Sequence, residues 1–148
     1  MAIAIGSSAP TVPGASRQGP HGLIFYKVTC PTCQMAAAPI SGFERAYPGR
    51  VHGVGQDPVD ALKEFSAEFG LTLPAVSDAE PYEASKAYLI EHVPTLVVVD
   101  AEGRVADVVE SWDREGYNRA SGKLAGLLGS DAVVISDPDD GLPAFRPG

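Results

Sequence analysis

The sequence predicts an α/β fold with a mixed central β-sheet that is flanked by helices on both faces. Candidate strands and helices alternate along most of the chain, which favours parallel strands joined by right-handed crossovers. Two adjacent strand patterns separated by a Gly-containing turn add an antiparallel hairpin. The length of 148 residues and the hydrophobic content of 45% suit one domain with one sizeable core.

The first part of the chain starts irregularly and then gives a strand and a helix. A short edge strand is expected at 2–5, and the Gly-, Pro- and Ser-rich stretch 6–22 predicts a loop. The apolar run 23–28 is typical of a buried strand. A helix is expected from Pro31, because proline suits the first helical turn, and Pro39 should kink or interrupt it.

The middle of the chain repeats this order. A second strand is predicted at 51–55, and the helix after it has apolar residues at helical spacing. Asp57 is expected to cap that helix at its start, and Gly70 to cap it at its end. A short extended segment follows, and then one to two helical turns within 81–90.

The last part of the chain contains the hairpin and a final helix. Strands at 95–100 and 105–111 are separated by four residues that include a glycine, which predicts a tight turn. Asp113 is expected to cap the last helix. Residues 1–129 are therefore interpreted as a single domain, and the acidic, Pro-containing residues 130–148 as a loosely packed tail.

Charge and hydrophobicity exclude several classes of function. The net charge of −8 argues against a nucleic-acid surface or an anionic membrane surface, both of which need clustered Lys and Arg. No apolar run approaches the ~20 residues that a membrane span needs. The N-terminus has neither the basic start nor the long apolar run of a signal peptide, so a cytoplasmic protein is expected. If a leader had been removed, a periplasmic or other extracytoplasmic location would be expected instead.

The stretch FYKVTCPTCQMAAAP holds the two cysteines of the chain, Cys30 and Cys33, at the junction of the first strand and the first helix. The unpaired N–H groups and the dipole of a helix N-terminus stabilise a thiolate. The pKa of the Cys30 thiol is therefore expected to lie below the value of about 8.5 for a free thiol. Cys33, one turn later, is placed to attack a mixed disulfide formed by Cys30.

Three interpretations of this pair compete. A structural zinc site usually draws on two such pairs, whereas the chain has one pair and three scattered histidines. An inert pair would act only as two small apolar residues. A redox-active dithiol is favoured, because Cys-x-x-Cys beside a β–α pattern indicates disulfide exchange. That chemistry needs no bound metal or other cofactor.

Four motifs carry a resemblance to a known family. They are GSSAP at 6–10, FYKVTCPTC at 25–33, the segment 53–78 and HVPTLVVVDAEGRV at 92–105. Together they resemble thioredoxin-fold proteins of the TlpA-type thiol-disulfide oxidoreductase and peroxiredoxin-like group. The resemblance covers about residues 2–129 and implies a thioredoxin-like fold.

The resemblance also implies an activity and a site. Cys30 and Cys33 would be the catalytic pair of a thiol-disulfide oxidoreductase. Pro94 would follow a cis peptide bond and pack against the pair, and the backbone of Val93 would pair with a substrate's extended chain. A protein or a small-molecule disulfide would be the substrate, and a donor of the thioredoxin-reductase type would be the reducing partner. A peroxiredoxin-like peroxidase that reduces hydroperoxides and a non-catalytic thioredoxin-fold binding module are the alternatives.

Some positions depart from the pattern of these relatives. Ile24 and Ala36 stand where relatives keep a buried acid, so no carboxylate is expected to handle protons for Cys33. Lys27 stands where peroxiredoxins keep the hydroxyl that orients the peroxide. Its ammonium would lower the pKa of Cys30 if the two groups approach each other. The competing hypothesis is a solvated lysine at a strand end, which is the commoner case.

Overall fold

The computed structural model describes residues 1–148, which form seven strands and four helices. The strands are β1 (His21–Tyr26), β2 (Val51–Gly55), β3 (Ala75–Ser77), β4 (Thr95–Val99), β5 (Val105–Glu110), β6 (Trp112–Asp113) and β7 (Phe145–Arg146). The helices are α1 (Pro31–Ala46), α2 (Val59–Phe69), α3 (Glu83–Ala87) and α4 (Arg114–Leu128). None of the four helices combines the length and the apolar character that crossing a membrane requires.

Five of the strands form a mixed sheet in the order β3-β2-β1-β4-β5. β1, β2 and β3 pair in parallel, whereas β4 is antiparallel to both β1 and β5. β6 and β7 form a separate antiparallel ribbon. The sheet is therefore mixed, as predicted, and the predicted hairpin is its β4–β5 edge.

The two faces of the sheet are buried in two separate apolar clusters, because successive side chains of a strand point to opposite faces. Ile24 and Tyr26 of β1 face α1, α2 and α4. Leu23 and Phe25 face the other way, where α3 and the N-terminal residues cover them. Burial on both faces explains why the central strands read as continuous apolar runs.

The end of β1 and the start of α2 differ from the prediction for one shared reason. β1 ends at Tyr26, two residues before the predicted end, because the N–H of Val28 donates to the carboxylate of Asp57 (2.9 Å) and leaves the sheet. The Asp57 carboxylate therefore accepts a hydrogen bond from Val28 and does not cap α2. Pro58 takes the N-cap position without a side-chain hydrogen bond.

The edge strand expected at 2–5 does not form. Ala2 and Ile3 are adjacent and both buried, whereas a strand buries alternate residues on one face. Their N–H groups donate to the Glu110 carboxylate (2.7 Å) and to the Tyr88 carbonyl (3.0 Å) instead of to a neighbouring strand.

Two other expectations agree with the structure, and the interruption of α1 expected at Pro39 does not occur. β2 has the predicted bounds, and Gly70 ends α2 in the left-handed conformation with φ of 70°. α1 continues through Pro39 to Ala46 instead of stopping there.

Residues 130–148 are mostly exposed, but hydrogen bonds to α4 hold part of them in place. The side chain of Asn118 on α4 accepts hydrogen bonds from the N–H groups of Ile135 (2.8 Å) and Ser136 (3.1 Å), and it donates to the Ser136 carbonyl (2.9 Å). Ile135 and Leu142 pack against the larger apolar cluster. The separation of residues 1–129 as an independent domain stays a prediction.

Candidate active site

The two cysteines lie at the start of α1. Cys30 is the N-cap residue, and its sulfur accepts a hydrogen bond from the N–H of Cys33 (3.2 Å). Pro31 takes the first helical position, where its missing N–H costs no hydrogen bond. Cys30 is half-buried, whereas Cys33 is only 1% exposed. The helix start therefore presents one thiol to solvent and buries the other behind it.

The surroundings shift the pKa values of the two thiols in opposite directions. The hydrogen bond from the Cys33 thiol, helped by backbone N–H groups and by the charge of Arg146, lowers the pKa of Cys30 to about 6. Burial raises the pKa of Cys33, and the neighbouring Cys30 adds to this rise. At neutral pH the pair therefore holds one thiolate, on Cys30, because this is the exposed sulfur and the one that receives the hydrogen bonds.

The structure brings Val93 and Pro94 to the cysteine pair. The peptide bond between them is cis, and the Cys30 sulfur lies 3.3 Å from the Val93 carbonyl oxygen, to which it donates a hydrogen bond in its protonated form. Pro94 is buried, and its carbonyl accepts a hydrogen bond from the N–H of Ser111 (2.8 Å). All four predicted site residues therefore lie together, although they come from two distant parts of the sequence.

Two cations, Lys27 and Arg146, have described positions near the candidate site. The Lys27 ammonium lies 5.6 Å from the centre of the Tyr82 ring. Arg146, from β7, is the charged residue that lowers the pKa of Cys30. The hypothesis that assigned this role to Lys27 stays a prediction. No local signal in the sequence pointed to Arg146.

The buried thiol belongs to the larger apolar cluster. Ile24 and Ala36 are fully buried in the same cluster as Cys33. Tyr26 and Tyr117 also belong to this cluster, and their hydroxyls are buried without a hydrogen-bond partner. Burial raises the pKa of both phenols, that of Tyr26 to about 12; the charge of Asp57 adds to the rise for Tyr26, and Cys33 makes a smaller contribution to both. These hydroxyls are the polar groups around Cys33 that the sequence motifs did not indicate.

The end of the chain also reaches the site. The Thr32 hydroxyl donates a hydrogen bond to the Pro147 carbonyl (2.7 Å), and the N–H of Gly148 donates to the Ser111 hydroxyl (3.1 Å). The presumed tail therefore forms part of the wall around Cys30, which sequence composition did not predict.

Comparison with known proteins identifies the fold that carries this site. No protein-family model matches the sequence, and no curated protein is significantly similar to it. Solved structures do match. A secreted disulfide oxidoreductase from Mycobacterium tuberculosis, homologous to DsbE of E. coli, is 25% identical, covering 75% of this chain and 84% of its own, with a TM-score of 0.60. DsbF from the same organism is 26% identical, covering 72% of this chain and 81% of its own, with a TM-score of 0.61.

A more distant match comes from Bacteroides vulgatus. The thioredoxin domain of a thiol-disulfide oxidoreductase from that organism is 18% identical, covers 82% of this chain and 99% of its own, and has a TM-score of 0.68. The chain has the thioredoxin fold. The predicted fold class and the similarity to thiol-disulfide oxidoreductases of this fold are confirmed, and the mycobacterial match supports the predicted class of enzyme. The roles of the individual residues stay predictions.

Proposed function

We propose that this protein exchanges disulfides through a dithiol formed by Cys30 and Cys33. The asymmetry of the pair carries the proposal. Cys30 is half-buried, with a thiol pKa lowered to about 6, and Cys33 lies one helical turn away, buried and protonated. A thiolate is the attacking species in disulfide exchange, so the exposed sulfur is equipped for the first step and the buried one for the second.

The reaction has two steps. The Cys30 thiolate attacks one sulfur of a substrate disulfide, a bond forms between the two sulfurs, and the other substrate sulfur leaves as a thiolate that takes up a proton. Cys33 then loses its proton and attacks the Cys30 sulfur, which releases the second substrate thiolate. Two electrons pass to the substrate, and the Cys30–Cys33 disulfide remains. A reducing partner must return two electrons before the next cycle.

Val93 and Pro94 are proposed to bind the substrate beside the attacking sulfur. The Val93 carbonyl already contacts the Cys30 thiol, and the Val93 N–H donates to no backbone carbonyl of the protein. An extended substrate chain that pairs with this backbone would bring its disulfide to Cys30. Such pairing uses main-chain groups, so it accommodates many sequences.

Protein disulfides are the proposed substrates, and a dithiol donor of the thioredoxin-reductase type is the proposed partner; no bound cofactor is required. The direction of exchange depends on the compartment. The cytoplasm keeps thiols reduced, so a cytoplasmic protein would act as a reductase. The mycobacterial disulfide oxidoreductase that matches this fold is secreted. Measuring the reduction potential of the Cys30–Cys33 couple would distinguish the two settings.

Trapping tests the proposal. Cys33→Ser should accumulate a mixed disulfide between Cys30 and a protein substrate such as insulin, because the second step is lost. Cys30→Ser is the matched control and should form none. Retention of insulin reduction by Cys30→Ser would contradict the proposed order of attack. Failure of Cys33→Ser to trap any substrate while full activity remains would contradict the two-step mechanism.

The same preparations distinguish the alternative functions. A peroxidase would consume hydrogen peroxide with a thiol donor much faster than it reduces insulin. A non-catalytic binding module would show neither activity and would retain its binding when both cysteines are replaced by serine.

A further inference from the structure

The C-terminal segment, residues 143–148, is docked beside the active site as an added strand. The Trp112 indole N–H donates to the Pro143 carbonyl (2.8 Å), and the Arg114 N–H donates to the Ala144 carbonyl (2.9 Å). The next two residues pair with β6 as strand β7. The segment therefore follows one defined path across the protein.

The end of this segment enters the region between α1 and the cis peptide bond. Thr32, which lies between the two cysteines in sequence, donates to the Pro147 carbonyl (2.7 Å), and the N–H of Gly148 donates to the Ser111 hydroxyl (3.1 Å). A β-carbon at position 148 would overlap the Val93 carbonyl oxygen. Only glycine fits this approach without displacing the segment or the cis-proline loop.

The segment thus covers the backbone to which the proposed function assigns substrate binding. The Val93 carbonyl contacts both the Cys30 thiol (3.3 Å) and the end of the segment. Arg146 of the same segment donates a long hydrogen bond to the sulfur of Met35 on α1 (3.9 Å). A protein substrate and the C-terminal segment therefore need the same space.

The contacts of the segment are of a kind that a competing chain can replace. They are part-buried hydrogen bonds, and the large side chain of the segment, Phe145, is 57% exposed, so little apolar area holds the segment down. The residues before it are held more firmly. Arg114 donates to the Ser136 hydroxyl (3.0 Å) and to the Leu142 carbonyl (2.7 Å), and Ser136 is only 2% exposed. The segment can leave while its attachment stays in place.

We propose that the C-terminal segment is an internal peptide ligand of the substrate groove, which a protein disulfide must displace before it reaches Cys30. This inference rests on the proposed function and adds a form of regulation to it. Cys30 stays half-buried with the segment in place, so a small disulfide reaches the thiol directly. The segment therefore slows the exchange with protein disulfides and does not slow the exchange with small disulfides.

A single substitution in the full chain tests this. Gly148→Val should expel the end of the segment, because its side chain cannot fit against Val93. The kcat/KM for insulin should rise about tenfold if the segment fills the groove in about nine of ten molecules. At pH 8, where Cys30 is ionised with or without the charge of Arg146 beside it, the kcat/KM for Ellman's reagent, a small aromatic disulfide, should not rise. Gly126→Val, at an exposed position of α4 with open space around it, is the matched control and should alter neither value.

A peptide supplies the second measurement. A synthetic peptide with the sequence GLPAFRPG, residues 141–148, should inhibit insulin reduction by the Gly148→Val protein in competition with insulin. It should not inhibit the reduction of Ellman's reagent. Inhibition of this kind would show that the groove binds the segment in trans as well as in cis.

The outcomes separate this inference from the proposed function. Unchanged insulin kinetics in Gly148→Val, together with no inhibition by the peptide, would overturn the inference and leave the proposed function intact. An equal rise for both disulfides would also overturn it, because the change would then act on Cys30 itself and not on the groove. Absence of disulfide exchange in every variant, the unsubstituted protein included, would overturn both.

Discussion

The hydrogen bond from the Cys33 thiol is the largest cause of the low pKa of Cys30, so replacing Cys33 tests the reasoning about the site directly. A hydrogen bond to a charged acceptor contributes roughly 1.5–3 kcal/mol, and one pKa unit corresponds to about 1.4 kcal/mol. A thiol is a weak donor and Cys30 is only half-buried, so the lower end of this range applies. Cys33→Ala should therefore raise the pKa of Cys30 by about one unit, from about 6 to about 7.

The ultraviolet absorbance of the thiolate, followed against pH in the reduced protein, measures this pKa. At pH 6 the ionised fraction of Cys30 should fall from about one half to about one tenth, and the rate of alkylation by iodoacetamide should fall about fivefold with it. Cys33→Ser is the matched variant, because its hydroxyl keeps a donor at the same position. Equal titration midpoints for the Ala and Ser variants would refute the assigned cause.

Three further predictions concern stability, measured by urea unfolding. Tyr47→Phe should lower the free energy of unfolding by about 1–2 kcal/mol, because the buried hydroxyl of Tyr47 makes three hydrogen bonds. Tyr26→Phe is the control and should change this free energy little, because the Tyr26 hydroxyl has no hydrogen-bond partner. Gly116→Ala should lower the free energy of unfolding by about 1–3 kcal/mol, because the new methyl group would lie 2.6 Å from a valine methyl group of β5. Gly122→Ala on the same helix is the control: its methyl group meets open space, so the substitution should be neutral or stabilising. Burial, followed by the charge of a nearby arginine, lowers the pKa of His52 from its ordinary 6.5. The unfolded chain then binds the proton more readily, so the free energy of unfolding should fall as the pH drops below about 6.5, and His52→Asn should reduce that fall.

Patterns among residues that are close in the sequence were enough to predict most of the sheet and its helices. β2 and the β4–β5 hairpin follow from short apolar runs bounded by turn residues, and Gly70 ends α2 because it can adopt a positive φ. The errors occur where a residue has a distant partner. Asp57 reads as a helix cap, but its carboxylate binds the N–H of Val28 from a neighbouring loop.

The C-terminal residues show what composition alone does not predict. Their Asp, Gly and Pro content indicates irregular backbone, and most of this part of the chain is irregular. Irregular backbone is nevertheless fixed when side chains of a helix satisfy its polar groups, as Asn118 and Arg114 do here. Neither side chain carries a sequence signature of that task, so the path of the tail toward Cys30 appears only in three dimensions.

The candidate site divides in the same way. The Cys-x-x-Cys spacing at a strand–helix junction predicts which sulfur ionises, because the N-terminal N–H groups of a helix are a local feature. The burial of Cys33 cannot be predicted from neighbouring residues in the sequence, since it depends on how α1 packs against α4 and on the apolar side chains at positions 24 and 36. That burial raises the pKa of Cys33 and keeps it protonated while Cys30 is a thiolate. The proposed order of attack therefore depends on two separate causes: the start of α1, which can be predicted from the local sequence, and a buried environment assembled from the whole domain.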